Sequence, residues 1–428
     1  MYDVPNEIFM QQKKFIKVGL STENFKAYVG MIDEEVEEFI NHDSAFSVYQ
    51  RGNVNEWGTF DVMTVAAEIT ILTAARTLQG KEVRGNMDKT FADLYTDLDG
   101  GFTPLNFLFP NLPLESYRKR DRAHEKLSQF YVNIIKKRRA AKDDDVRCLV
   151  CSGQQCLTMC LQQETDMIAA LMQQAYRDGR PLHDTEMAHI MIALLMAGQH
   201  TSSTTSSWTL LHLAANPDIA YVYPVHVFIQ MINSPSLISD ALYREQVEHF
   251  RSPDGKLRQM TYEDIRSLPL LDSVIRETLR MHPPIHSIMR YVRDDVPVPS
   301  TLSSPSEDGI YIVPKGNYVL ASPAVSQVDR TVWKNADNWD PYRWSDNEGV
   351  AVQAYKADLD ENGEKIDYGY GAVSKGTESP YQPFGAGRHR CIGEQVCQLL
   401  TFFLATCLKL TFAVCVSSVG CSYCGPHS

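Results

Sequence analysis

The stretch Phe384-Gly385-Ala386-Gly387-Arg388-His389-Arg390-Cys391-Ile392-Gly393 sets one cysteine in a glycine-rich loop beside three basic side chains. Neighbouring positive charge lowers a thiol's pKa and favours the thiolate, the form of sulfur that binds metal. The glycines carry no Cβ, so the backbone there can lie close against a flat ligand. Taken alone, the loop admits two readings: a metal-binding thiolate, or a cysteine in a merely structural loop.

The 428 residues are 44% apolar and 22% charged, which suits a globular fold with a large core. Length alone suggests two or three domains. A formal net charge of -12 argues against nucleic acid as a partner. The chain opens in polar sequence, so neither a signal peptide nor an anchor is expected at its start. Of ten cysteines, four lie between Cys148 and Cys160 and five between Cys397 and Cys424. Cys148-x-x-Cys151 and Cys421-x-x-Cys424 have the form of zinc half-sites, but the spacing around them is irregular and no histidine-rich partner follows.

Periodicity gives mostly helices. After Pro5 the anchors Ile8, Phe9, Phe15 and Ile16 predict a helix that carries Lys13, Lys14 and Lys17, of which Lys14 and Lys17 read most simply as a solvated basic face. Short acidic (Ile32 to Phe39) and longer apolar (Asp61 to Leu78) helices follow, then a basic one from Leu114 to Lys142, whose Lys136-Lys137-Arg138-Arg139 again reads as solvated. Phe102 and Phe107 beyond the Gly100-Gly101 break read as pocket aromatics or plain core. The longest helical pattern runs over 184–215 and opens on Asp184-Thr185-Glu186. Its second half, Gly198-Gln199-His200-Thr201-Ser202-Ser203-Thr204-Thr205-Ser206-Ser207, is a poor helix interior. Hydroxyls there can bond back to the preceding turn and open the helix, as functional bulges do, or the helix is simply polar and buried. Glu277 and Arg280 share one face of a short helix closed by His282-Pro283-Pro284. Short strands are expected over 285–325, then Asp340-Pro341-Tyr342-Arg343-Trp344 and a polar loop over 345–379.

Four features recur in one order: the hydroxyl-rich long helix, Glu277-x-x-Arg280, Pro341-x-Arg343-Trp344 and the Cys391 loop. Together they resemble the cytochrome P450 superfamily. More narrowly, Tyr2-Asp3 with Pro5-Asn6, Gln12-Lys13-Lys14, Phe102-Thr103-Pro104, Asn111-Leu112-Pro113, Gly198 to Ser203 and His286-Ser287-Ile288-Met289-Arg290 look like the fungal sterol 14α-demethylases. The resemblance implies a mainly α fold with small β-sheets (α+β), the cytochrome P450 fold, incomplete at both ends. It implies haem b with Cys391 as axial thiolate, a ligand that pushes electron density toward O–O cleavage. Lys13, Arg290 and His389 match positions that bind the haem propionates, and Glu277, Arg280 and Arg343 match a buried bracing network. His200 and Thr201 match a proton-delivery pair. Tyr2, Phe102, Phe107, Met196, Ala197, Ile285, His286, Ser287 and Met289 match positions lining a sterol cavity, which must be mainly apolar.

The implied activity is a monooxygenase of ergosterol biosynthesis that removes the 14α-methyl of lanosterol or eburicol by three oxidations. Electrons are expected from NADPH through a P450 reductase docking near Lys14, Lys17 and Arg388. Azoles are expected as inhibitors, and the endoplasmic reticulum membrane as location although the family's anchor is missing. The expected domain is a partial P450 over 1–395, interrupted at 146–163 and 221–240. A cysteine-rich tail over 396–428 is expected to replace the family's last helix and hairpin. Val396-Cys397 also reads as a translated fungal splice donor, so the three stretches are expected to be retained introns. The alternative function is a non-catalytic fragment or mis-spliced product with residual haem or sterol binding.

Overall fold

The computed structural model describes residues 4–52, 58–87, 89–101, 103, 105, 109, 111–151, 166–215, 238–252, 258–298, 311–346, 349–356, 379–411, 414–417 and 420–423. In chain order the longer elements are α1 (Asn6–Gly19), α2 (Thr22–His42), β1 (Gly58–Phe60), α3 (Val62–Ala74), α4 (Lys89–Asp99), α5 (Glu115–Cys151), α6 (Met167–Leu171), α7 (Asp184–Ala215), α8 (Ile238–Phe250) and α9 (Pro269–Met281). They continue as β2 (Ile288–Tyr291), β3 (Val296–Val298), β4 (Tyr311–Val313), β5 (Tyr318–Ala321), α10 (Glu394–Thr411), β6 (Val414–Ser417) and β7 (Gly420–Tyr423). Helices with small antiparallel sheets are the expected α+β class. The chain divides into two compact units, Met1–Asp272 with Ile392–Ser428, and Ser273–Cys391.

The first unit is built around α7, which packs on α3, α5 and α10. Met187, Ile190, Met191, Ile192 and Leu195 bury different sides of it, and a helix apolar all round belongs inside a core. Glu186 starts it: its Oε2 accepts from His183 N at 2.9 Å and from Arg180 Nη1 at 2.9 Å, while Tyr176 OH donates to Oε1 at 3.1 Å. Gln12 Nε2 donates to the same Tyr176 hydroxyl at 3.0 Å, which ties α1 to this corner.

The hydroxyl-rich half does not open. α7 is a continuous α-helix from Asp184 to Ala215, so of the two readings open for this stretch the polar, buried helix is the one observed. Thr201, Thr205 and Thr209 each donate from Oγ1 to the carbonyl four residues back, at 2.7, 2.8 and 2.8 Å. A carbonyl has two lone pairs, so the hydroxyl is accommodated without displacing the helical N–H. The π-turn lies instead at Ala75–Gln79, directly after α3.

That turn ends on Gly80, at φ 99° and ψ 164°, a region open only to glycine. A Cβ there would stand 2.2 Å from Asp166 Oδ2 and 2.8 Å from Arg138 Nη2. Arg138, expected on a solvated face, is inside. Its guanidinium bonds both oxygens of Asp166, at 2.8 and 2.7 Å, and both of Glu82, from Nε at 2.8 Å and from Nη2. Those two carboxylates outweigh its burial and hold its pKa above the usual arginine range. Asp166 also caps α6 by accepting from Ala169 N at 2.9 Å.

The sequence pattern gave an acidic helix over 32–39; it is part of the 21-residue α2, capped by Ser21 Oγ accepting from Asn24 N at 3.3 Å. The tail beyond Val396 forms most of α10, which buries Val396, Cys397, Leu399, Leu400, Phe402, Phe403 and Leu404 and packs on α7, α2 and α8. β6 and β7 form a hairpin, and β7 pairs antiparallel with β1 through Gly58–Tyr423, Thr59–Ser422 and Phe60–Cys421. Of the two other atypical stretches, the backbone is helical from 146 to Cys151, residues 152–163 and 221–237 lie outside the described residues, and 238–240 open α8.

The second unit carries two separate antiparallel pairs, β2 with β5 and β3 with β4. Its centre is the C-terminal part of α9, with Trp333, Trp344 and Tyr381 packed around it.

Gly80→Ala should lower unfolding free energy by about 1–3 kcal/mol from backbone strain alone. The contact with Asp166 adds to that. Urea denaturation of the two proteins measures it, with Gly85→Ala, whose Cβ meets nothing within 4 Å, as the control.

Candidate functional site

In the second unit the site rises from one buried charge. The Glu277 carboxylate is fully buried and accepts five bonds. Arg280 donates from Nε at 3.0 Å and Nη2 at 2.8 Å, Arg343 from Nε at 3.1 Å, Asp340 from its backbone N at 3.0 Å and Trp344 from Nε1 at 3.0 Å. Arg280 is also fully buried, and its remaining donors reach the carbonyls of Gln327 at 2.8 Å and Asn338 at 3.2 Å. Arg343 completes its fork on the carbonyls of Lys334 and Asn335. Glu277, Arg280 and Arg343 are thus brought together as expected. Asp340, Gln327 and Asn338 join them without a sequence signal; Trp344 had one in its adjacency to Arg343.

Gln327 leads from this knot to the cysteine loop. Its Nε2 donates to the carbonyls of Leu279 and Arg280, each at 2.9 Å, and its Oε1 accepts from Gln382 N at 2.8 Å. Gly385 N donates to Gln382 O at 3.0 Å, and Cys391 N to Phe384 O at 2.9 Å, which closes the loop. Gly385 and Gly387 hold φ of 70° and 63°, which a side chain would strain. Cys391 is a reduced, exposed thiol. A single exposed sulfur on a loop kinked by two glycines, next to His389 and Arg390, is a donor set that fits a haem iron. Among the described residues no three His, Cys, Asp or Glu gather as a metal site. The side chains of Cys148, Cys151 and Cys421, and all of Cys424, lie outside the described residues, as does the Arg388 side chain.

Of the other expected residues in this unit, His389 and Arg290 are exposed, and Arg290 Nη1 donates to Met289 O at 2.9 Å. Ile285, His286 and Met289 are exposed and Ser287 half-buried. His286 Nδ1 lies 2.5 Å from Ser287 Oγ, which donates to Ser322 Oγ at 3.3 Å.

In the first unit, α7 presents Met196 half-buried, Ala197 and His200 exposed and Thr201 half-buried. His200 Nε2 lies 2.6 Å from Asp99 Oδ1, a partner on α4 that sequence reading missed because it is 101 residues away. One position earlier, Tyr95 OH donates to Gln199 Oε1 at 3.0 Å in a buried contact. Burial first, and then the Asp99 charge, push the Tyr95 pKa up, so its hydroxyl stays protonated. Lys13 is half-buried, as are Lys14 and Lys17, which were expected on a solvated face, and burial lowers the Lys17 pKa. Tyr2, Phe102 and Phe107 lie outside the described residues.

The sequence and the fold both match known proteins. The cytochrome P450 family profile matches residues 6–221 and 225–419, which takes in the stretch 146–163 and the tail as far as 419. Lanosterol 14-alpha demethylase of Mycosarcoma maydis is 50% identical over 421 residues, 96% of this chain and 68% of that protein. Lanosterol 14-alpha demethylase erg11 of Schizosaccharomyces pombe is 43% identical over 395 residues, 92% of this chain and 67% of that protein. Sterol 14-alpha demethylase cyp51A of Aspergillus fumigatus is 42% identical over 412 residues, 96% of this chain and 69% of that protein. The chain therefore spans about two thirds of the length of such relatives. Among solved structures, retinoic acid bound cyanobacterial CYP120A1 superposes with a TM-score of 0.66 at 18% identity, covering 96% of this chain and 74% of that one.

Glu277→Gln removes the charge that balances a fully buried Arg280, so it should destabilise the protein by about 3–5 kcal/mol. Chemical denaturation gives the value. Arg343→Lys keeps a charge but not the fork to two carbonyls, and should cost less than Glu277→Gln.

Proposed function

The chain belongs to the cytochrome P450 family, haem-thiolate monooxygenases supplied with electrons by a redox partner, and on that premise we propose that it removes the 14α-methyl group of a sterol. The observation that carries the proposal is the Cys391 sulfur, exposed at the end of a hydrogen-bonded path from the buried Glu277 through Arg280 and Gln327. The 50% and 43% identity to lanosterol 14-alpha demethylases over most of the chain, with the motif residues in place, supports the sterol class. Lanosterol and eburicol are the proposed substrates. The methyl passes through alcohol and aldehyde and leaves as formate, in three oxidations.

Haem, when bound through Cys391, supplies the oxygen-activating chemistry, and the thiolate's electron donation favours O–O cleavage. The protein holds the cofactor and moves protons. Lys13, Arg290 and His389 are the proposed partners of its propionates, each as a charge-assisted contact. Asp99 orients the His200 imidazole through the 2.6 Å contact at Nε2. Thr201 Oγ1 uses its proton on Ala197 O, so its lone pairs face away from that bond and are free to accept one. His200 and Thr201 are thus the proposed proton relay, with Asp99 behind them. Met196, Ala197, Ile285, His286, Ser287 and Met289, with Tyr2, Phe102 and Phe107, are the proposed sterol contacts.

An NADPH-dependent P450 reductase is the proposed donor, and azoles are proposed ligands of the same site. The endoplasmic reticulum membrane is the proposed location. Among the described residues no helix is long and apolar enough to cross a membrane, the stretch from Val396 included as far as it is described.

Expressed protein, reconstituted with reductase and given lanosterol or eburicol, should release formate and show a thiolate-type band in the reduced-CO difference spectrum. Cys391→Ser should lose that band, and a wild-type protein without band or product overturns the proposal. Asp99→Asn should lower turnover roughly 100-fold, the scale of one proton-transfer group, with sterol binding retained.

A further inference from the structure

α4 meets α7 through two side-chain contacts of different character. Tyr95 and Asp99 are four residues apart and so lie on one face of α4. They reach consecutive residues of α7, Gln199 and His200. The Asp99–His200 contact is half open to solvent, with side-chain exposures of 32% and 53%. Such a pair competes with water and fixes geometry weakly. The Tyr95–Gln199 contact is buried, both residues being under 8% exposed. A buried hydroxyl and amide oxygen that lose each other are left unsatisfied, which makes the bond a strict condition on helix register. A slip of one residue along either helix is about 1.5 Å, enough to break it.

Resting on the proton-relay reading above, we infer that Tyr95 and Gln199 are positioning residues that lock α4 to α7 in the register at which Asp99 meets His200. Neither touches the reacting atoms. Their action is on the imidazole: with the lock in place, the carboxylate stands at Nε2, and without it the exposed pair exchanges for water. The Tyr95 ring also stands beside the imidazole, with ring centroids 6.5 Å apart, and limits its swing. The protonated state of the Tyr95 hydroxyl, kept by burial and by Asp99, makes it a dependable donor across the physiological range.

The test is Tyr95→Phe in the haem-loaded full chain, with reductase and lanosterol. The lock predicts that NADPH consumed per formate released rises severalfold. The solvent deuterium isotope effect on turnover should change, since the imidazole loses its fixed carboxylate. Sterol binding and the reduced-CO thiolate band should be unchanged. Gln199→Leu should reproduce the effect, and the double variant should be no worse than either single one. Wild-type coupling and an unchanged solvent isotope effect in Tyr95→Phe overturn the inference. Asp99→Asn separates the two levels: if it uncouples while Tyr95→Phe does not, the lock fails and the relay stands. If Asp99→Asn is itself silent, the relay reading fails and the lock with it. Loss of the thiolate band in Tyr95→Phe would also overturn the inference, because it would give Tyr95 a structural role in cofactor retention instead.

Discussion

A carboxylate removed from water tolerates only one kind of surrounding. Glu277 accepts five N–H bonds, and a carboxylate in a core needs positive charge as well as donors. Arg280 and Arg343 supply the charge, and their spare N–H groups then need carbonyls. Those come from Gln327, Lys334, Asn335 and Asn338, so the loops between residues 327 and 343 are held by what the arginines require. Asn335 sits at φ 52°, an uncommon angle for its type, with its carbonyl on Arg343. Gln327 then passes the constraint to Gln382 and the cysteine loop. The position of the sulfur is in this sense a remote consequence of satisfying one buried anion.

The first unit solves the opposite problem, a polar stretch that must pass through a core without charge. Ser202, Ser203, Thr205, Ser206, Ser207 and Thr209 are all buried. Threonines spaced by four residues turn their hydroxyls onto their own helix, so few external partners are needed. Ser206 reaches Thr401 at 3.3 Å and Ser207 reaches Val62 O at 3.4 Å, contacts that bind α7 to α10 and to the start of α3. Small hydroxylated side chains also let neighbouring helices approach closely.

Local spacing made Glu277 with Arg280, and the Cys391 loop, legible, because those features are short and their chemistry needs those residue types. The helix over 184–215 was legible from its length and apolar run. What was not legible depended on distant chain. Asp99 looks like any acidic residue until α4 lies against α7. Arg138 reads as one cation in a basic run, and only the approach of Glu82 and Asp166 turns it inward. Whether the hydroxyl run opens its helix was not legible either, because propensity cannot weigh the packing that keeps it closed. The tail looked foreign by composition, yet its apolar residues fall at helical spacing and bury against α7.

The sheet that joins β1 to β7 has a consequence in time. Phe60 pairs with Cys421, so β1 finds its partner about 360 residues further along the chain. Contacts of such sequence separation close slowly, because loop entropy must be overcome before they form. Until then Gly58–Phe60 has an unpaired edge, a surface that invites other chains. The β6–β7 hairpin is therefore what closes that edge, and it does so only once the long intervening chain has folded back.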